Sequence, residues 1–136
     1  MPSQQVVQKG DISLINRYMM SGRYDIYQFV MPNVEPSQKS PIMAFNWVTC
    51  GLIVKLRFIS DSDSLHVVIS STPDVDNRRN HILSLDTDKE DFFYDYYNGD
   101  FLQSFYLGEN NTVYIQITNN GSAATGDIIC EAGLAM

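Results

Sequence analysis

The sequence predicts an all-β protein, an antiparallel two-sheet sandwich preceded by one short helix. Three observations carry that expectation. From residue 43 onward apolar side chains recur at every second position, the period of a strand with one buried face. Polar turns separate these runs at spacings of about 10–20 residues, which is the rhythm of a sandwich or barrel. Aromatic residues make up 12% of the chain, with 8 Tyr and 7 Phe against 1 Trp, a composition that favours strands. With 136 residues the chain is read as a single domain over 1–136: helix, short strand and Pro-rich connection over 1–42, then the main strands over 43–136.

The helix is expected first. Ile12, Ile15 and Met19 fall at i, i+3 and i+7, Asp11 can cap the start and Ser21-Gly22 provides a stop. Tyr24 to Val30 reads as a short strand, and Pro32, Pro36 and Pro41 mark irregular chain after it. Leu52, Val54, Leu56 and Phe58 then alternate with Ile53, Lys55, Arg57 and Ile59, placing the first set on a buried face. Leu65, Val67 and Ile69 repeat the pattern after the turn at Asp61-Ser62-Asp63-Ser64. Phe92, Tyr94 and Tyr96 alternate around Phe93 and Asp95. Val113, Ile115 and Ile117 are expected to share the core with the Leu52–Phe58 set, and Ile128 and Cys130 close the series. The count is about six strands.

Charge narrows the function classes. The net charge of −7 argues against a dedicated nucleic-acid binder, whose footprint is basic. It is also uneven: residues 1–60 carry six basic and three acidic groups, whereas 61–136 carry three basic and thirteen acidic ones. Such asymmetry suits a body with different neighbours on its two sides. No apolar run reaches the length of roughly 18 residues that a membrane helix needs, and the segment MPSQQVVQKGD has no apolar core of a signal peptide. Cys50 and Cys130 are expected as reduced thiols, since two cysteines make no disulfide framework.

No motif points to catalysis, a metal or a cofactor. The run Asp86, Asp88, Glu90 has an EF-hand look, but Asp91 stands where the loop needs Gly and Tyr97 where it needs Glu. His66 and His81 have no ligand-spaced partner in their own segments, and no nucleophile elbow, Walker loop or paired C-x-x-C occurs. Both histidines are read as exposed or interface residues. Arg78-Arg79 is flanked by Asp74, Asp76, Asp86 and Asp88, which weakens it as an RNA contact. The stretch Phe92-Phe93-Tyr94-Asp95-Tyr96-Tyr97 has too many aromatics for one strand face, so Phe93, Tyr94, Tyr96 and Tyr97 join His66 and His81 as candidate interface residues.

Taken together, the segments resemble a known family. Phe45-Asn46-Trp47-Val48-Thr49-Cys50-Gly51-Leu52 through Phe58 is similar to a strand signature, roughly F-a-Y-W-R-G-G-L-r-y-K-l-r-F, of capsid proteins of picorna-like RNA viruses of the iflavirus, dicistrovirus and secovirus type. Leu65 to Pro73 resembles the next strand and its turn, Asp91 to Tyr97 the later E-F-E-V-P-Y-Y element, and Thr112–Thr118 with Asp127–Gly133 the last two strands. Ser13 to Arg17 resembles the short helix before the signature. Thr49 and Cys50 depart from the usual Arg and Gly, and Tyr94-Asp95 from Val-Pro.

The resemblance implies a viral jelly roll, here its carboxy-terminal part, with a strand set short of the usual eight. It implies a structural shell subunit that self-assembles with other capsid protein chains, identical or not, in a virion built in the host cytoplasm. Weak contact with genomic RNA is expected from the amino-terminal side, with no membrane contact, no enzyme activity and no cofactor. The competing expectation is a lectin-like or receptor-binding sandwich that uses the Tyr/Phe cluster at 92–97.

Overall fold

The computed structural model describes residues 13–20, 24–47, 52–95, 105–107 and 111–135. They form ten strands: β1 (Ser13–Met20), β2 (Tyr24–Met31), β3 (Met43–Asn46), β4 (Leu52–Ile59), β5 (Leu65–Ser70), β6 (His81–Thr87), β7 (Asp91–Asp95), β8 (Phe105–Tyr106), β9 (Thr112–Asn119) and β10 (Ile128–Ala135). Helix among the described residues amounts to one 3-10 turn at Arg78–Asn80.

The strands make two antiparallel sheets. In the first the order is β1-β2-β10-β4-β7, with β8 also on β4; in the second it is β3-β9-β5-β6. The chain changes sheet at β2–β3, β3–β4, β4–β5, β6–β7, β8–β9 and β9–β10, so most sequence neighbours lie in opposite sheets.

The expected amino-terminal helix is instead strand β1. Three apolar residues at helical spacing make a helix of two to three turns, which is marginal alone. Pairing with β2 satisfies the same backbone groups along a whole strand, from Ser13↔Val30 to Met20↔Tyr24. A register shift between Leu14 and Asn16 inserts Ile15 as a bulge, which breaks the two-residue period and hides the strand. Asp11, Ile12, Ser21 and Gly22, which carried the rest of the helical reading, lie outside the described residues.

The expected shortfall of strands is likewise not observed. This chain supplies four strands to each sheet, β2, β10, β4 and β7 against β3, β9, β5 and β6, and adds β1 and β8. The six-strand count missed β6, whose pattern His81-Ile82-Leu83-Ser84-Leu85-Asp86-Thr87 carries a register shift beside Ile69–Ser70. It also missed β3, which lies in the second sheet while β4 lies in the first.

The core lies between the sheets. From the first come Tyr27, Phe29 and Met31 of β2, Leu56 and Phe58 of β4, Phe92 and Tyr94 of β7, and Ile128, Cys130, Ala132 and Leu134 of β10. From the second come Phe45, Leu65, Val67, Ile69, Leu83, Val113, Ile115 and Ile117. Phe45 joins the two layers: its ring meets Tyr27 edge-on at 5.7 Å and packs against Phe29 at 5.1 Å and Trp47 at 6.0 Å.

One part of the predicted core parity is corrected. Gly133 pairs with Lys55 and Leu134 with Ile53, so Val54 is an extra residue in β4. The bulge turns Ile53 inward and puts Val54 on the opposite side, where it packs with Ile26 and Ala135. Leu52, also expected inside, is half-buried. Leu56, Phe58, Val113, Ile115 and Ile117 do share one core.

Candidate interaction surface

The outer face of the first sheet concentrates what an interface needs. Cross-strand pairing aligns Gln28 (β2), Glu131 (β10), Arg57 (β4) and Phe93 (β7) in one row, and Val30, Ile129, Ile59 and Asp91 in the next. Phe93 at 48% and Ile129 at 37% are the exposed large hydrophobic residues among those described, and both stand on this face. Val30 and Ile59 beside them are half-buried.

Arg57 organises the row. Its Nε and Nη2 donate to the two carboxylate oxygens of Asp91 at 3.0 and 2.9 Å, while Nη1 lies 3.8 Å from Glu131. Glu131 in turn accepts from Nε2 of Gln28 at 2.7 Å. The guanidinium carbon sits 5.9 Å from the centre of the Phe93 ring, close enough for cation–π attraction. The bidentate hydrogen bond from Arg57, with its charge, holds the Asp91 carboxyl below the usual carboxylate range, and the same bond raises Arg57 further. An arginine fixed in one geometry over an exposed aromatic ring is a favourable centre for protein contact, because little side-chain entropy remains to be lost.

The six candidate interface residues do not converge. Phe93 is on this outer face. Tyr94 points the other way and is 1% exposed, in the core rather than on a surface, because adjacent residues of a strand face opposite sides. Tyr96 and Tyr97 lie outside the described residues. His66 is on the outer face of the second sheet, where Nδ1 meets Asp86 Oδ1 at 2.6 Å and Nε2 meets Ser84 Oγ at 3.2 Å. His81 opens β6, and its Nε2 donates to the Val75 carbonyl at 2.6 Å. The acidic run is divided as well. Asp86 faces His66 on one sheet and Asp91 binds Arg57 on the other. Among the described residues no three His, Cys, Asp or Glu side chains could share a metal ion, and no helix is long and apolar enough to cross a membrane. Cys130 is a free, fully buried thiol whose proton affinity is raised by burial.

A second feature is the end of the sandwich where four loops meet. Ser60 N donates to Glu90 O at 2.9 Å, Asp61 N to Thr125 O at 2.8 Å and Thr125 N to Val34 O at 3.0 Å, tying together the β4–β5, β6–β7, β9–β10 and β2–β3 connections. Glu35, Asp61, Asp63, Asp88, Glu90 and Asp127 are all exposed on these loops. Sequence spacing revealed the acidic pairs but not their gathering at one end, which depends on the sheet-to-sheet crossings.

No protein-family model matches the chain, and no curated protein matches it.

Proposed function

We propose that the protein is a shell-forming subunit with a viral jelly roll, of the kind found in picorna-like capsids. The observation that carries this reading is the strand order. A sheet ordered β2-β10-β4-β7 packed on one ordered β3-β9-β5-β6 supports a jelly roll of two interleaved Greek keys, an architecture shared by capsid and lectin domains. The segment likeness around Phe45–Phe58 favours the capsid branch. Self-association would use the Phe93–Arg57 face and the four-loop end, with symmetry making weak contacts sufficient. Other capsid chains, the same or different, are the partners, and the virion is the destination. The basic excess of residues 1–60 suits the side nearer the genome.

The test is the size of the purified chain by light scattering and electron microscopy, across a concentration series at about pH 5–8 with and without Ca²⁺. Closed particles or large oligomers are expected. A monomer at every concentration and condition would defeat the reading, and glycan binding by that monomer would establish the lectin-like alternative.

A further inference from the structure

Three side chains on the outer face of the second sheet form a hydrogen-bonded relay. His66 on β5 is the direct cross-strand partner of Asp86 on β6, and Ser84, two residues before Asp86, projects to the same face. The carboxylate of Asp86 accepts from Nδ1–H of His66 at 2.6 Å, and Ser84 Oγ–H donates to Nε2 at 3.2 Å. The assignment of roles matters more than the proximity. Asp86 keeps the imidazole proton on Nδ1, so the lone pair of Nε2 faces the serine hydroxyl. With the proton on Nε2 instead, the serine would meet an N–H and gain nothing. Serine, base and orienting carboxylate in this connectivity are recognised by geometry, whatever their order in the sequence.

We infer that Ser84 is an activated nucleophile towards small carboxylic esters with good leaving groups, with His66 as its general base and Asp86 as a positioning residue. The substrate class follows from the setting. Ser84 is exposed and the Asp86 side chain is 80% exposed, so an acyl donor reaches the hydroxyl from solvent. An open sheet face leaves water to stabilise the oxyanion, so the leaving group must be good. Oγ attacks the ester carbonyl and its proton passes to Nε2; the C–O bond to the leaving alcohol then breaks, and that oxygen takes the proton. Water, deprotonated by the same Nε2, then attacks the acyl carbonyl; the acyl–Oγ bond breaks, Oγ takes the proton back from Nε2, and the carboxylic acid leaves. General-base help of this kind is worth on the order of 10²–10⁴ in rate. The inference stands whether or not the chain forms shells.

A fluorophosphonate probe tests it directly on the folded chain, since it forms a stable Oγ–P bond with loss of fluoride and leaves histidine unmarked. Peptide mapping is expected to find Ser84 labelled at least about 100-fold faster than the other exposed serines. Ser84→Ala and His66→Ala should abolish that label. Asp86→Asn should lose most of it, because an amide donating to Nδ1 moves the ring proton to Nε2, while Asp86→Glu keeps it. All three side chains reach solvent, so the variants fold, which melting curves would verify. Unlabelled Ser84 on folded wild type, or equal labelling in His66→Ala, would overturn the inference.

Discussion

The hydroxyl of Ser62 donates to Oδ1 of Asn119 at 2.8 Å, joining the β4–β5 loop to the end of β9. Asn119 is fully buried and uses every polar atom it has. Oδ1 also accepts from Gly121 N at 2.9 Å, and Nδ2 donates to the carbonyls of Val34 at 3.0 Å and Ala123 at 2.8 Å. One side chain thus holds three of the four loops together. Asn119→Ala should cost roughly 2–4 kcal/mol in urea unfolding, because several buried partners are left unsatisfied. Gly121→Ala should destabilise too, since its Cβ would fall 2.2 Å from the committed Ser62 oxygen.

The bulge at Val54 makes neighbouring β4 leucines unequal. Leu56, at 4% exposure in the main core, should lose roughly 2–5 kcal/mol on truncation to Ala. The half-buried Leu52 should lose only about 1 kcal/mol. Equal losses by chemical denaturation would contradict the register.

Asp91 contributes stability in a defined pH window. Its carboxyl is held below its ordinary value of 3.8 by Arg57, so the unfolded chain binds the proton more readily than the folded one. The contribution is therefore present above about pH 4 and lost as pH falls through the depressed folded value. The pair is partly exposed, 37% and 53% for the two side chains, so the effect stays below about 1 kcal/mol. Wild type and Asp91→Asn should differ slightly at neutral pH and converge in strong acid, as measured by parallel urea titrations.

Assembly should respond to the acidic end. If copies meet there, six exposed carboxylates on each oppose the contact at low ionic strength. Ca²⁺ or added salt should then raise light scattering, and replacing Asp61, Asp63 and Asp127 with Asn should remove that dependence. A Ca²⁺ response that persists in the triple variant would place the contact elsewhere.

What the residues revealed follows from where their period is clean. Val113, Ile115 and Ile117, and likewise Leu65, Val67 and Ile69, alternate without interruption and are buried as the pattern requires. Three failures coincide with bulges at Ile15 and Val54 and with the shifted start of β6, where one extra residue reverses the faces. The candidate surface was half legible. Outward alternation marked Phe93, whereas the alignment of Arg57 with Glu131 and Phe93 depends on which strands pair. That pairing joins residues more than thirty positions apart, and no local spacing encodes it.

The position of β10 between β2 and β4 has a consequence for how the chain comes into being. The first sheet has no continuous ladder until residues 128–135 insert at its centre, so a nascent chain halted at residue 127 holds two unsatisfied strand edges on either side of a gap. Folding is accordingly expected to be slow, in the millisecond-to-second range of non-local β topologies. A chain truncated after residue 127 should be protease-sensitive, and extending it through Ala135 should confer resistance in one step.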